Sequence, residues 1–272
     1  MQRAEVEQIF ERKKEYLLRN LTSSETPIAI ILGGQPAAGK SQLTLRAQEN
    51  HPNKKFLIVN GDLFRLYHPQ QSELIKDPLS YSEKTQIFSN VFTEKLIQEA
   101  QKNKFNIIVE GTMRNKNVPL STAKIFKDAG FRVEAYIIAA PALFSEIGIY
   151  NRYQNEVKFA GTGRLADINS HNEAVESLPY SVEALFRNQA VDRISIYSFG
   201  AQENLKNYDF DGSKWNSYLS PVDFIKQARE EQFNDKDLLA ERIRIGEKTL
   251  NAISKDLKSS VSRILEELKK LK

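Results

Sequence analysis

With 272 residues, 40% of them hydrophobic, the chain is long enough to bury about three quarters of the surface it exposes when unfolded, which points to one substantial body with appendages. It contains no cysteine, so disulfides and thiolate metal sites are excluded and a cytoplasmic location is expected. The net charge of +4, from 39 basic against 35 acidic residues, is too weak a field to argue for nucleic acid, and no apolar run reaches the ~20 residues that span a bilayer.

Residues 1–20 read as a charged helix without the apolar core of a secretory signal. The apolar run 27–32 follows and leads directly into Gly34, Gln35, Pro36, Ala37, Ala38, Gly39, Lys40 and Ser41, which spell G-x-x-x-x-G-K-S. Such a loop between a strand and a helix holds triphosphate through inward backbone N–H groups, the positive end of the helix and one ammonium. Lys40 would reach the β- and γ-phosphates, and the Ser41 hydroxyl would enter the shell of a nucleotide-bound Mg²⁺. ATP and Mg²⁺ are therefore the expected cofactors. A purely structural turn is the alternative for the motif.

The second apolar run, 56–60, ends at Gly61-Asp62. A carboxylate there is placed to take a proton from a hydroxyl attacking the γ-phosphate, although Gly-Asp is also a common turn and helix-cap pairing. Residues 82–102 carry Ile87, Phe88, Val91, Phe92 and Leu96 at helical spacing, which predicts a helix. The third run, 106–110, closes on Glu110 and continues through Gly111, Thr112, Met113 and Arg114. An acidic strand end beside a phosphate loop suits orientation of Mg²⁺ or its waters, with a solvated strand end as the alternative. Arg114 would either bind substrate or pair with Asp62.

A helix over 118–129 and a strand over 131–139 come next, then a lid-like region holding Arg152 and Arg164, and a fifth strand over 191–197. Arginines can stabilise the transferring phosphoryl group, but spacing alone does not single these two out from surface ion-pair formers. His51, His68 and His171 show no metal-ligand spacing, so a zinc site is not expected. Strand and helix in alternation predict an α/β fold: a P-loop kinase-like open parallel sheet with helices on both faces, followed by a C-terminal helical extension. The expected division is a kinase-like domain over 1–220 and the extension over 221–272. Within the extension, Leu250, Ile253, Leu257, Val261, Ile264, Leu268 and Leu271 form one stripe, read as a long helix that either packs on the body or serves a partner.

Several motifs in order resemble the zeta toxin family of bacterial toxin–antitoxin systems. They are Leu32-Gly33-Gly34-Gln35-Pro36 with Gly39-Lys40-Ser41; Gly61-Asp62 with Phe64-Arg65 and His68-Pro69; Phe88-Ser89-Asn90 with Thr93-Glu94; Glu110-Gly111-Thr112 with Arg114 and Val118-Pro119; and Arg152-Tyr153 with Arg164. The resemblance spans residues 27–197. It implies a kinase that transfers the γ-phosphate of ATP to the 3′-hydroxyl of the amino sugar of UDP-N-acetylglucosamine, blocking an early step of cell-wall precursor synthesis. It further implies Lys40 and Ser41 for ATP and Mg²⁺, Asp62 as base, Glu94 and Thr112 on the sugar nucleotide, and Arg152 with Arg164 on the phosphates. A small helical antitoxin covering the ATP site is the implied protein partner. The sequence differs from the usual pattern at Ala37-Ala38, at Asn117 and around Arg164. Those differences leave open another UDP-sugar or small hydroxyl acceptor, and a third alternative is an interaction protein whose apolar stripe is exposed according to nucleotide state.

Overall fold

The computed structural model describes residues 1–272. Helix α1 (Arg3–Leu18) precedes strand β1 (Ile28–Gly33), and α2 (Lys40–Glu49) leads to β2 (Phe56–Val59). Three single-turn helices, α3 (Gly61–Phe64), α4 (Gln71–Leu74) and α5 (Tyr81–Lys84), precede the long α6 (Gln86–Asn103). Then come β3 (Asn106–Gly111), α7 (Asn117–Asp128), β4 (Arg132–Ile138), α8 (Ala142–Ala160), α9 (Ile168–Arg187), β5 (Arg193–Tyr197) and β6 (Asn204–Asp209). The chain ends with α10 (Pro221–Glu231), α11 (Lys236–Ala252) and α12 (Lys255–Lys270). The helix expected over 82–102 is interrupted at Thr85, whose buried hydroxyl donates to the carbonyl of Tyr81 at 2.6 Å.

The strands form one sheet in the order β2-β3-β1-β4-β5-β6, the first five parallel and β6 antiparallel to β5. Because side chains alternate across a strand, Ala29 and Ile31 of β1 enter one core while Ile28, Ile30 and Leu32 enter the other. The first core is covered by α1, α6, α7, α9 and α10, the second by α2, α8, α11 and α12. Both sheet faces are thus layered with helices, as the continuous apolar strands anticipate. No helix is long and apolar enough to cross a membrane.

Two features differ from the sequence expectation. Strand β6 lies in the polar stretch that showed no strand pattern; it is an edge strand of mostly polar side chains, exposed at Asn204 and Asn207 and buried at Tyr208, held to β5 by the ladder and by Arg193 Nε on Asp209 Oδ1 at 2.6 Å. The C-terminal stripe is not one helix. The chain extends at Ile253, ψ 155°, and α12 folds back on α11. Val261, Ile264 and Leu268 are fully buried among Ile147 of α8 and Ile243 of α11. Gly246 permits this approach, since a Cβ there would lie 3.0 Å from Leu265 Cδ1. Most of the stripe therefore packs on the body, while Leu250 and Leu257 are half-buried and Leu271 is exposed.

Beside β1, Glu134 of β4 is 1% exposed and accepts from Arg132 Nε at 2.7 Å and faces His51 Nε2 at 3.2 Å. Burial alone would push its carboxyl up, but the hydrogen bonds from His51 and Arg132 outweigh it and hold the pKa at about 2. A carboxyl depressed in the folded state stabilises above its unfolded pKa, and that stability is lost as pH falls towards 2. Glu134→Gln should accordingly cost about 3 kcal/mol at pH 7, with the gap to wild type narrowing steadily below pH 4.5 in urea melts. A gap independent of pH would remove the electrostatic explanation.

Candidate active site

The parallel register places three strand ends level: Leu32 of β1 pairs with Glu110 of β3, and Val59 of β2 pairs with Val109. Everything that follows β1, β2 and β3 therefore meets at one carboxyl edge, where open α/β sheets bind ligands.

After β1 the chain turns through Gly34–Gly39 into α2. Gly39 sits at φ +106°, and a Cβ on it would lie 2.6 Å from the Cα of Gly200, so both the turn and the close approach require glycine. Ala37 also adopts a left-handed φ of +60°. The Lys40 ammonium folds over the loop, donating to the carbonyls of Gly34 at 2.8 Å and Gln35 at 3.2 Å. Burial pulls its pKa down to about 8; Glu110 and Asp62 pull it back up, while Arg152 and Arg164 lower it further. Ser41 is exposed at the first turn of α2.

Asp62 opens α3, whose N-cap Asn60 accepts from the Asp62 backbone N–H at 3.0 Å. Its carboxylate is gripped by Arg65 Nε at 3.1 Å and Arg164 Nη1 at 2.6 Å. Burial raises this carboxyl, but the two guanidiniums more than offset it and hold the group below its ordinary range. Glu110 accepts from Thr44 Oγ1 at 3.1 Å and Asn60 Nδ2 at 3.0 Å. Burial lifts its pKa, against the opposing pull of Lys40. On α8, Arg152 has a buried Nε without a hydrogen-bond partner, with Glu156 at 3.8 Å. Glu156 also accepts the backbone N–H of Arg164 at 2.7 Å, which ties the lid segment to α8.

Lys40, Asp62, Glu110, Arg152 and Arg164 are thus brought together, each acting on another electrostatically. Four cations, counting Arg65, face three carboxylates, Asp62, Glu110 and Glu156, and Glu110 is raised towards neutrality, so the cluster keeps spare positive charge for a polyphosphate. Arg114 is not paired with Asp62, correcting that alternative. It donates to Ser170 Oγ at 2.6 Å and lies 3.5 Å from Glu173, lining a polar cleft of about 660 Å³ with Lys116, Ser177 and Tyr180. Glu94 is held by Arg3 of α1 at 2.7 Å, and Thr112 is half-buried just past β3. A second cleft, about 870 Å³, opens beside Arg152 between Gln71, Ile75, Asn155 and Phe159.

Sequence reasoning assigned no role to Arg65, Thr44, Asn60 or Glu156. Thr44 and Glu156 stand one helical turn beyond Lys40 and Arg152, the spacing that puts side chains on the same face, and that signal was available. Asn60 and Arg65 flank Asp62 and bond it locally, which spacing could also suggest, but the bonds of Asn60 to Glu110 and of Arg65 to Ser82, Thr85 and Gln86 reach across strands or between helices.

The sheet order, the glycine-bounded loop and the cluster around it define a phosphate-loop protein of kinase-like fold. Residues 13–214 match the model of the zeta toxin family. The chain belongs to the zeta toxin family. It is 29% identical to Toxin PezT of Streptococcus pneumoniae serotype 4, covering 89% of this chain and 92% of that one, and 28% identical to Toxin zeta of Streptococcus agalactiae, covering 88% and 81%. The fold superimposes on a structure from the PezAT chromosomal toxin–antitoxin system of the human pathogen Streptococcus pneumoniae with a TM-score of 0.73 at 26% identity, covering 92% of this chain and 96% of that one. A structure of AvrRxo1-ORF1:AvrRxo1-ORF2 with ATP matches at a TM-score of 0.51 and 15% identity over 98% of this chain and 81% of that one, a likeness of fold alone.

Proposed function

We propose that this protein is the toxin of a toxin–antitoxin system and an ATP-dependent kinase acting on the 3′-hydroxyl of the amino sugar of UDP-N-acetylglucosamine. Family membership and the likeness to the PezAT toxin support the toxin role and an antitoxin partner. The observation that carries the kinase reading is Asp62, held between Arg65 and Arg164 at the same sheet edge as the Lys40 loop. Gly34, Gln35, Pro36, Ala37, Ala38, Gly39, Lys40 and Ser41 would receive the ATP phosphates. No group of three or more His, Asp or Glu side chains could cage a metal ion, so Mg²⁺ would come with the nucleotide, held by Ser41 and oriented by Glu110, and would neutralise phosphate charge.

Asp62 would take the proton of the attacking hydroxyl as its oxygen bonds to the γ-phosphorus and the bond to the β–γ bridging oxygen breaks, releasing ADP. A carboxylate held low by two guanidiniums is a weak base. Transfer of Arg164 from Asp62 to the incoming phosphates would free the carboxylate and place a cation on the transferring group in one movement. Arg152, with its unpartnered buried Nε, is ready for the same phosphates. Glu94, Thr112 and Arg114 would hold the sugar nucleotide, and Glu94 must first leave Arg3.

Incubation with ATP, Mg²⁺ and UDP-N-acetylglucosamine, followed by mass spectrometry and NMR, should give a sugar nucleotide carrying one added phosphate at the 3′-hydroxyl. The engagement of Glu94 by Arg3 favours a second reading, a kinase for another UDP-sugar or small hydroxyl compound. Turnover in a panel of acceptors only with UDP-linked amino sugars would dispose of it.

A further inference from the structure

Gln35, the second residue of the loop, is fully buried, and both protons of its side-chain amide are used. Nε2 donates to the carbonyl of Ala140, just beyond β4, at 2.8 Å and to Ser145 Oγ, in the first turn of α8, at 3.2 Å. Ser145 is also fully buried, and its hydroxyl lies 2.9 Å from His171 Nε2 and 2.9 Å from the carbonyl of Ala142. His171 stands in the first turn of α9, equally buried, with Nδ1 2.9 Å from Asn172 Oδ1. A continuous polar chain thus joins the loop, α8 and the helix that follows Arg164.

The direction of the chain follows from its members. Burial keeps His171 neutral, opposed by the Asn172 oxygen and reinforced by the positive charges of Arg229 and Lys40. A neutral ring that gives its Nδ1–H to Asn172 has only a lone pair at Nε2, so it shares the single Ser145 proton with the Ala142 carbonyl. Ser145 Oγ is then oriented as an acceptor for the Gln35 amide. The loop needs such an anchor because Ala37 is left-handed, a conformation that costs an alanine about 1 kcal/mol. Gly148 of α8 leaves room for it: a Cβ there would lie 3.1 Å from that of Ala37. On the other side, the Ala38 carbonyl accepts from Gly200 N at 3.0 Å. Gln35 and Gly200 therefore hold the strained segment from either side, beside the Lys40 ammonium that spans its first carbonyls.

We propose that Ser145 and His171 are positioning residues for the phosphate loop: they fix the Gln35 side chain, and through it the backbone N–H groups that receive a nucleotide's phosphates. This rests on the nucleotide-binding reading of the loop. It assigns a role to two side chains that would touch neither nucleotide nor acceptor.

The full chain and its variants would be titrated with Mg·ATP by calorimetry, and amide hydrogen exchange would be followed over residues 33–42. Ser145→Ala and His171→Leu should weaken Mg·ATP about tenfold, the scale of one lost buried hydrogen bond, and speed exchange in the loop but not in β1 or β4. His171→Gln, which can return an acceptor to Ser145, should stay within about twofold of wild type. The proposal is overturned if the folded Ser145→Ala and His171→Leu proteins bind as wild type does, or if His171→Gln loses as much as His171→Leu, since packing alone would then explain the histidine. Should His171→Leu fail to fold, Ser145→Ala, which removes a single oxygen, decides the matter. If wild type itself does not bind Mg·ATP, the nucleotide reading fails, and exchange then judges the anchor: faster loop exchange in Ser145→Ala sustains it, and unchanged exchange refutes it.

Discussion

Asp62→Asn should lower phosphotransfer by about 10²- to 10⁴-fold, the usual worth of a general base, while the protein remains folded and binds Mg·ATP at least as tightly as wild type. The asparagine keeps an oxygen that can accept from Arg65 or Arg164. It also removes a negative charge from beside the expected phosphates and releases Arg164 to them. Loss of kcat with a KM for ATP that is unchanged or lower is the mark of a group needed only as the reaction proceeds. Steady-state ADP release, calorimetry and a thermal melt read the three quantities. Phosphotransfer within a few-fold of wild type would remove Asp62 as base. Collapse of ATP affinity would make it a structural partner of the arginines instead.

Lys40→Met should abolish useful nucleotide binding and yet make the fold slightly more stable. An ammonium making charge-assisted hydrogen bonds to phosphate in a partly buried site is worth on the order of 3 kcal/mol, so Mg·ATP affinity should fall at least about a hundredfold. In the free protein the same ammonium carries a burial cost. Its folded pKa of about 8 lies below the ordinary 10.5. Between those values the unfolded chain binds more protons, so wild-type stability rises with pH across that window, and below it the folded state bears the whole cost. Relief of about 3 kcal/mol, less about 2 for the lost bonds to Gly34 and Gln35, leaves a net gain of about 1 kcal/mol at pH 7. Wild-type affinity for Mg·ATP should also weaken as pH rises past about 8, where the ammonium is lost. A less stable Lys40→Met protein with no change in the pH profile would contradict both statements.

Much of this molecule was readable in one dimension because its information is local. The strands of the inner sheet are short apolar runs, and the loop at Gly34–Gly39 is bounded by the two glycines the motif requires. Parallel strands buried on both faces need little beyond hydrophobicity to be recognised, and a phosphate loop is confined to eight consecutive residues. The same local reading placed Asp62 and Glu110 at strand ends and so at one edge of the sheet.

Other features depend on contacts between residues far apart in sequence, which no local pattern encodes. Strand β6 exists because β5 offers a free edge, and its polar residues carry no apolar alternation of their own. The stripe from Leu250 onward has the period of one helix; the turn at Ile253 that divides it is selected by burial of Val261, Ile264 and Leu268 against α8 and α11. In the site, helical spacing could suggest Arg152 with Glu156, but not that Arg164 would reach Asp62, that Arg114 would turn to α9, or that Glu94 would meet Arg3. The sequence by itself determined the layered α/β fold and the phosphate loop, because backbone propensity and apolar period act over a few residues. The tertiary structure alone decided which charges face one another and how the loop is anchored, because Coulomb forces and buried hydrogen bonds depend on distance in space.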